Sequence, residues 1–377
     1  MRLLALLALL ALVGLAPALA DELKAPAPRP GPSSPPAAPA AKAPPGPAPK
    51  GMVWIPGGNY TRGEARKIAG ARTEYPEEKP VHRVTVDGFW LDVTEVTNRQ
   101  FLEFTKARGY KTQAETGWDP KDFPAAPPDQ LKAGALCFTS PPQKVELWRP
   151  GAEWQWWRFV AGANWRHPRG PGSDLADKME HPVVCITHED ALAYCKWAGK
   201  RLPTEAEWER AARGGLDHKV YIWGDEQRPG GKWLANVYQG DFPQTNLGLD
   251  GYRSTSPVKS FPPNPYRLYD MAGNVWEHCA DLYRPEYYKT FAAKEKAERN
   301  PKGPTDPVSQ PMVQEYLQTG KYPDEKPFHK LSWLWVTKGG SHLCHHTYCL
   351  RYRPAARHYS ESLSPTNHTG FRCAKSK

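Results

Sequence analysis

Cys344 and Cys349 sit five residues apart in the stretch from Gly339 to Arg357, whose other members are mostly polar or aromatic. Thiolates are soft ligands that select Cu(I), zinc or iron–sulfur clusters over hard cations, so the pair is a candidate metal centre. An odd offset points two side chains to opposite faces of a straight strand. The pair therefore converges only if the chain turns between them, and His345, His346 and Thr347 are polar enough for that bend. Three other readings compete: a disulfide, a structural zinc site completed by nearby histidines, or two unrelated thiols. In an exported protein the disulfide has the strongest general claim.

Hard oxygen donors occur elsewhere. Asn236-Val237, Asp250-Gly251-Tyr252 and the run from Asp270 through Gly273, Asn274, Val275 and Trp276 to Glu277 place carboxylate, amide and backbone oxygens beside glycine turns. Calcium takes such oxygens. From composition alone, the same residues simply make turns. Glu205, Glu207 and Glu209 invite an acid–base reading, but carboxylates in a first helical turn are favoured by capping and by the helix dipole without catalysis.

The elements that must position these residues are partly readable. Arg2, the apolar run Leu3 to Leu15 and Ala18-Leu19-Ala20 form a secretory signal peptide over residues 1–20, so the mature protein is expected to be exported, periplasmic or secreted. Residues 21–50 are a Pro/Ala-rich linker with no apolar surface to bury. One folded domain is expected over residues 51–377. Its 41 Pro and 31 Gly argue for a loop-rich architecture and against long helical bundles. The net charge of +10 is spread without a basic run, which leaves a solvated basic surface and no nucleic-acid partner.

Strands are expected at Met52 to Ile55, closed by Pro56-Gly57-Gly58, at Val81 to Val86, and at Phe89-Trp90-Leu91. A helix opened by the Thr97/Gln100 capping box and stopped at Gly109 should pack on the first sheet through Phe101, Leu102 and Phe104. Two more helices follow, from about Glu189 to Ala198 and from the Thr204/Glu207 box to Gly214. Lys111 to Val184 reads as ordered loop in which Trp148, Trp154, Trp156, Trp157 and Trp165 pack. Lys289 to Leu331 is a polar insertion preceding the cysteine stretch.

The cysteine stretch resembles the catalytic segment of the formylglycine-generating enzymes, a Gly-Gly-Ser-x-x-Cys-His-x-x-Tyr-Cys-x-Arg-Tyr-Arg run with every fixed position present. Asp92-Val93-Thr94-Glu95-Val96-Thr97-Asn98, Ala163 to Pro168, Leu202 to Trp208, and Gly273-Asn274-Val275-Trp276-Glu277 extend the resemblance from Gly51 to Gly370-Phe371-Arg372-Cys373. It implies a mixed α+β domain of low regular content on a scaffold similar to C-type lectins. It also implies oxidation of the cysteine in a Cys-x-Pro-x-Arg sequence of a type I sulfatase to formylglycine.

In the family the two cysteines hold Cu(I) and the substrate thiolate joins them. Dioxygen is consumed, hydrogen leaves the substrate Cβ, and the thioaldehyde hydrolyses. By the same resemblance Ser341 and Trp276 stand beside the oxygen pocket, and His345 and Arg357 stand in the substrate groove. Asn367 falls one residue out of register with a groove asparagine. Asn236, Val237, Asp250 and Tyr252 match one structural calcium site, and Asp270, Gly273, Val275 and Glu277 a second, with Asp270 where Asn is common. Cys195 and Cys373 match a family disulfide, while a second bridge falls at Ala212 and Pro354 and so is missing. Cys137, Cys185 and Cys279 take no assignment.

The expected partners are an unfolded sulfatase polypeptide and a thiol reductant, with the chain acting as a monomer. Two other classes compete with this reading. Iron-dependent sulfoxide synthases carry a His-x-x-x-His-x-Glu motif that this sequence lacks. A non-catalytic binding module on the same scaffold would not require both cysteines.

Overall fold

A computed structural model describes residues 43–68, 74–121, 131–292, 294, 296–323 and 332–377. The expected signal peptide, the linker before residue 43 and residues 324–331 of the insertion lie outside the described residues. The elements, in order, are β1 (Met52–Ile55), β2 (Gly58–Arg62), β3 (His82–Val86), β4 (Phe89–Asp92), α1 (Asn98–Arg108), α2 (Gln113–Thr116), β5 (Gly134–Phe138), β6 (Trp157–Ala161), α3 (His188–Trp197) and α4 (Glu205–Arg213). They continue with β7 (Gly240–Asp241), β8 (Thr245–Asn246), β9 (Trp276–Leu282), β10 (Glu298–Arg299), α5 (Gln310–Thr319), β11 (Leu334–Lys338), β12 (His358–Glu361), β13 (Thr369–Gly370) and β14 (Ala374–Lys375). Short helices and small sheets joined by long ordered loops make this the mixed α+β domain of low regular content that the resemblance implied.

Local signals placed the helices. Thr97 caps α1 through the Gln100 amide and Gly109 ends it in the left-handed region; Thr204 and Gly214 do the same for α4, and Thr187 caps α3. One packing expectation is corrected. Phe101 and Phe104 turn toward α3, stacking on Tyr194 and Trp165 rather than on the first sheet, because these rings form a separate aromatic core with Ile186 and Phe371. Among the elements that the sequence did not announce are the β5–β6 ribbon inside the Trp-rich region and α5 inside the insertion. Among the five tryptophans, Trp156 and Trp165 are buried, whereas Trp148 and Trp154 are 49% and 57% exposed.

The sheet that positions the site has the order β12-β11-β9-β13. β11 runs antiparallel to β9, pairing Thr337 with His278 and Lys338 with Glu277. β13 lies parallel on the other side, with Thr369 opposite Trp276. The chain leaves β11 at Lys338 and enters the cysteine stretch through Gly339 and Gly340. Gly340 has φ of 70°, and a Cβ there would lie 2.9 Å from the Tyr352 nitrogen, so glycine is required where the stretch doubles back on itself.

Beneath this sheet lies a buried ion cluster that accounts for the acidic α4. Glu205 pairs with Arg357 (2.8 Å) and Arg62 (2.7 Å), while Glu209 pairs with Arg213 (2.6 Å) and Lys338 (3.3 Å). Glu207 closes the capping box and binds Arg201. None of the three carboxylates is placed for acid–base work.

Asp281, also buried there, accepts the Glu205 amide at 2.8 Å, and burial followed by the Glu205 charge pushes its carboxyl up to about 7. A carboxyl raised on folding contributes stability that is present below its unfolded value near pH 4 and is lost as pH rises toward 7. Asp281→Asn is expected to flatten that loss, on the order of 4 kcal/mol at most. Parallel urea titrations at pH 4.5 and 8 check this, and an unchanged pH slope would refute it.

The sulfurs of Cys195 on α3 and Cys373 at the chain end lie 3.4 Å apart, in contact but not bonded. Under oxidising conditions they are expected to close. Non-reducing peptide mapping should recover the linked peptides, and recovery of both as free thiols would refute the pairing.

Candidate active site

The bend required between Cys344 and Cys349 is a single tight turn. The His345 carbonyl accepts the amides of Tyr348 (3.0 Å) and Cys349 (2.8 Å), which folds the intervening residues outward and brings the two sulfurs into contact. Upstream, the Ser341 carbonyl accepts the Cys344 amide (2.9 Å) and its hydroxyl accepts the Leu343 amide (3.2 Å). Downstream, the Leu350 amide donates to the Tyr75 hydroxyl (3.2 Å). Cys344 is buried in the main core, while Cys349 is half-buried at its edge. The hydrogen bond from Cys344, assisted by the Arg351 guanidinium, holds the Cys349 thiol down to about 7, whereas burial pushes the Cys344 thiol well up.

Of the residues expected around this pair, Ser341 holds the Cys344 amide, and Trp276 is buried in the same large core cluster as Cys344. Trp276 opens β9, donates its amide to the His368 carbonyl (2.9 Å), and faces His358 with ring centres 5.4 Å apart. His345 contributes its backbone to the turn, and its Nδ1 lies 2.9 Å from the Thr347 hydroxyl. Arg357 is corrected. Fully enclosed (0% exposed), it forks onto Glu205 and donates to the Arg284 carbonyl, so it positions α4 rather than lining a groove. Asn367 spends its side-chain oxygen on the Phe138 amide (3.0 Å) and lines a cavity of about 60 Å³ with His342, Leu343 and Pro168.

The oxygen clusters divide into two. In the first, Asp250 accepts the amides of Val237 (2.9 Å) and Tyr252 (2.8 Å), and the Gln239 amide nitrogen is wedged between Asp250 and the Val237 carbonyl. The neighbouring Asn236 Oδ1 is buried without a partner. Such a set of hard oxygens with one left over fits a calcium ion. In the second, Glu277 is held by Arg372 at 2.7 and 2.8 Å and by the Trp208 indole. Asp270 accepts the Lys259 amide. Gly273 and Val275 bring their backbone, and Gly273 approaches Asn236 so closely that a Cβ would meet its carbonyl oxygen. Burial pushes the Asp270 carboxyl up to about 6 and Glu95 well above its ordinary range. Asp270 and Glu95 thus lean toward the neutral form beside the Glu277–Arg372 pair, and a bound cation would favour their ionised forms.

Among the described residues no three His, Cys, Asp or Glu side chains form a metal-binding group. The cysteine centre offers only two, and both oxygen sets draw on amides and carbonyls.

Sequence reasoning missed Asn274. In the left-handed region (φ 57°), it accepts the Ser256 amide (2.9 Å), donates to Glu95 (3.1 Å) and to the Asn236 carbonyl (2.8 Å), and offers its own carbonyl to the His342 amide (2.9 Å). One residue thus ties both oxygen clusters to the cysteine stretch. In the sequence its one local signal is an asparagine, a residue that tolerates positive φ, directly behind Gly273.

A family model described as the sulfatase-modifying factor enzyme 1-like domain matches residues 38–377. The chain is 44% identical over 325 residues to the formylglycine-generating enzyme of Mycobacterium tuberculosis, covering 85% of this chain and 96% of that protein. It is 42% identical over 328 residues to the enzyme of that name from Thermomonospora curvata, covering 86% and 93%. Among solved structures, PvdO from Pseudomonas aeruginosa superposes with a TM-score of 0.52 at 23% identity over 86% of this chain and 94% of PvdO, a likeness of fold.

Proposed function

We propose that this chain, which belongs to the sulfatase-modifying factor enzyme family, converts a cysteine of a sulfatase polypeptide to formylglycine. The observation that supports this most directly is the turn that joins Cys344 to the half-open Cys349. Cys344 and Cys349 are the residues that would hold Cu(I), which when bound supplies redox chemistry with dioxygen.

The chain's own residues do the rest. The Ser341 and His345 carbonyls fix the two cysteine amides and hence the spacing of the sulfurs. Cys349, the half-buried member of the pair, is the one that the thiol of an extended Cys-x-Pro-x-Arg segment of an unfolded sulfatase would approach. Overall, one dioxygen and two external thiols enter, and the aldehyde, hydrogen sulfide, water and a disulfide leave. The protein acts as an exported monomer.

The test incubates a Cys-x-Pro-x-Arg peptide with copper-loaded protein, oxygen and a thiol, then traps the product with hydroxylamine. A peptide oxime detected by mass spectrometry is expected, and recovery of unmodified peptide alone would overturn the assignment.

Calcium is proposed to be structural, held by Asn236, Val237, Asp250 and Tyr252 and by Asp270, Gly273, Val275 and Glu277. An ion that binds only the folded chain at a hundred times its dissociation constant adds about 3 kcal/mol. Chelation is expected to lower the melting temperature, and Asp250→Ala to remove most of that response. An unchanged wild-type melting curve would reduce the two clusters to turn chemistry.

A further inference from the structure

The cysteines left over from this site include a second pair. Cys137 points inward from β5, and its sulfur lies 3.6 Å from the Pro168 carbonyl. Cys185, three residues before α3, directs its sulfur to the same carbonyl at 3.7 Å. The two thiols touch each other inside an apolar cluster with Ala135, Ala163, Val184 and Val275.

Cys185 is held at φ of 56°, a conformation that side chains with a Cβ rarely adopt. Its amide is anchored on the Thr366 carbonyl at 2.9 Å. Strain of this kind persists only where the surroundings enforce it, and here it aims a sulfur at a sulfur. Two thiols crowd one weak acceptor, and neither belongs to the Cys344/Cys349 centre.

We propose that Cys137 and Cys185 close to a disulfide that staples the β5–β6 ribbon to the chain entering α3. The bond forms by exchange with a small-molecule disulfide such as oxidised glutathione. The Cys137 thiolate attacks one glutathione sulfur and expels the other as thiolate. Cys185 then gives up its proton and attacks the Cys137 sulfur, releasing the second glutathione. Two protein thiols are oxidised and one glutathione disulfide is reduced to two thiols. In the folded chain both sulfurs are sealed from water, so the exchange belongs to the folding chain, before Pro168 covers them.

The staple bears on the proposed active site. Phe138, Pro168 and Val184, neighbours of the pair, line the same cavity as His342 and Leu343 of the cysteine stretch. The bond therefore fixes one wall of that cavity and closes the long loop that carries the Trp-rich segment.

The full chain, refolded in a glutathione redox buffer, alkylated and digested without reduction, decides the matter. A peptide joining Cys137 to Cys185 is expected beside the one joining Cys195 to Cys373. The oxidised wild type should melt several degrees above Cys137→Ala, which retains only the Cys195–Cys373 link. Full alkylation of Cys137 and Cys185 in molecules whose Cys195 and Cys373 are joined overturns the proposal. The mapping needs only wild-type protein and no turnover, so its outcome is independent of whether the chain makes formylglycine.

Discussion

Serine at position 344 or 349 is expected to abolish aldehyde formation from the Cys-x-Pro-x-Arg peptide while leaving the melting temperature nearly unchanged. A hydroxyl is close in size to a thiol but is no ligand for a soft ion, so each variant loses the proposed copper and keeps the turn, which rests on the Ser341 and His345 carbonyls. Rival readings of the pair predict otherwise. Loss of a structural disulfide typically costs ~2–5 kcal/mol, which thermal unfolding would show at once. A structural zinc site needs a histidine, so His345→Ala would release metal. Reduced wild type should bind one Cu(I) and each serine variant none, a readout independent of turnover. Activity surviving either substitution, or a fold that collapses with it, refutes the assignment.

Glu205→Gln is expected to have the largest effect on stability, about 3–5 kcal/mol and enough to threaten folding in a protein of ordinary stability. The buried carboxylate holds Arg357 in a fork at 2.8 and 2.9 Å and Arg62 at 2.7 Å, with Lys338 at 3.9 Å. An amide leaves Arg357, Arg62 and Lys338 enclosed without their shared carboxylate, while Glu209 already serves Arg213. Burial alone would raise the Glu205 carboxyl, but the surrounding cations, Arg357 foremost, outweigh it and hold it well below the carboxylate range. A carboxyl depressed on folding contributes stability that is present above its unfolded value and is lost as pH falls through the folded one. Wild type should therefore lose stability in strong acid more steeply than the variant, the opposite sense to Asp281. Urea unfolding at pH 7 and pH 3 measures both, and a variant within ~1 kcal/mol of wild type at pH 7 would show that the cluster is not the support described here.

The helices around the site were legible because their signals are local. Thr97/Gln100 and Thr204/Glu207 sit within one turn of each other, and Gly109 and Gly214 supply the left-handed residue that ends each helix. The cysteine stretch was legible for the same reason, since its spacing demanded a turn and the three polar residues between the sulfurs made one.

Residues whose roles depend on distant partners were not legible. Arg357 carries the same charge whether it lines a groove or is buried, and only Glu205, far away in the chain, settles which. Asn274 looked like turn chemistry until Asn236, Glu95 and His342 were brought around it. The β5–β6 ribbon shows no clean alternation because its two strands are buried unevenly, and α5 buries only Val313 along its length. Thus the sequence by itself determined the family, the helix ends and the soft-ligand pair, each encoded within a few consecutive residues. The tertiary structure alone decided which charges neutralise one another and that Cys137 meets Cys185, because those contacts join segments that carry no local record of each other.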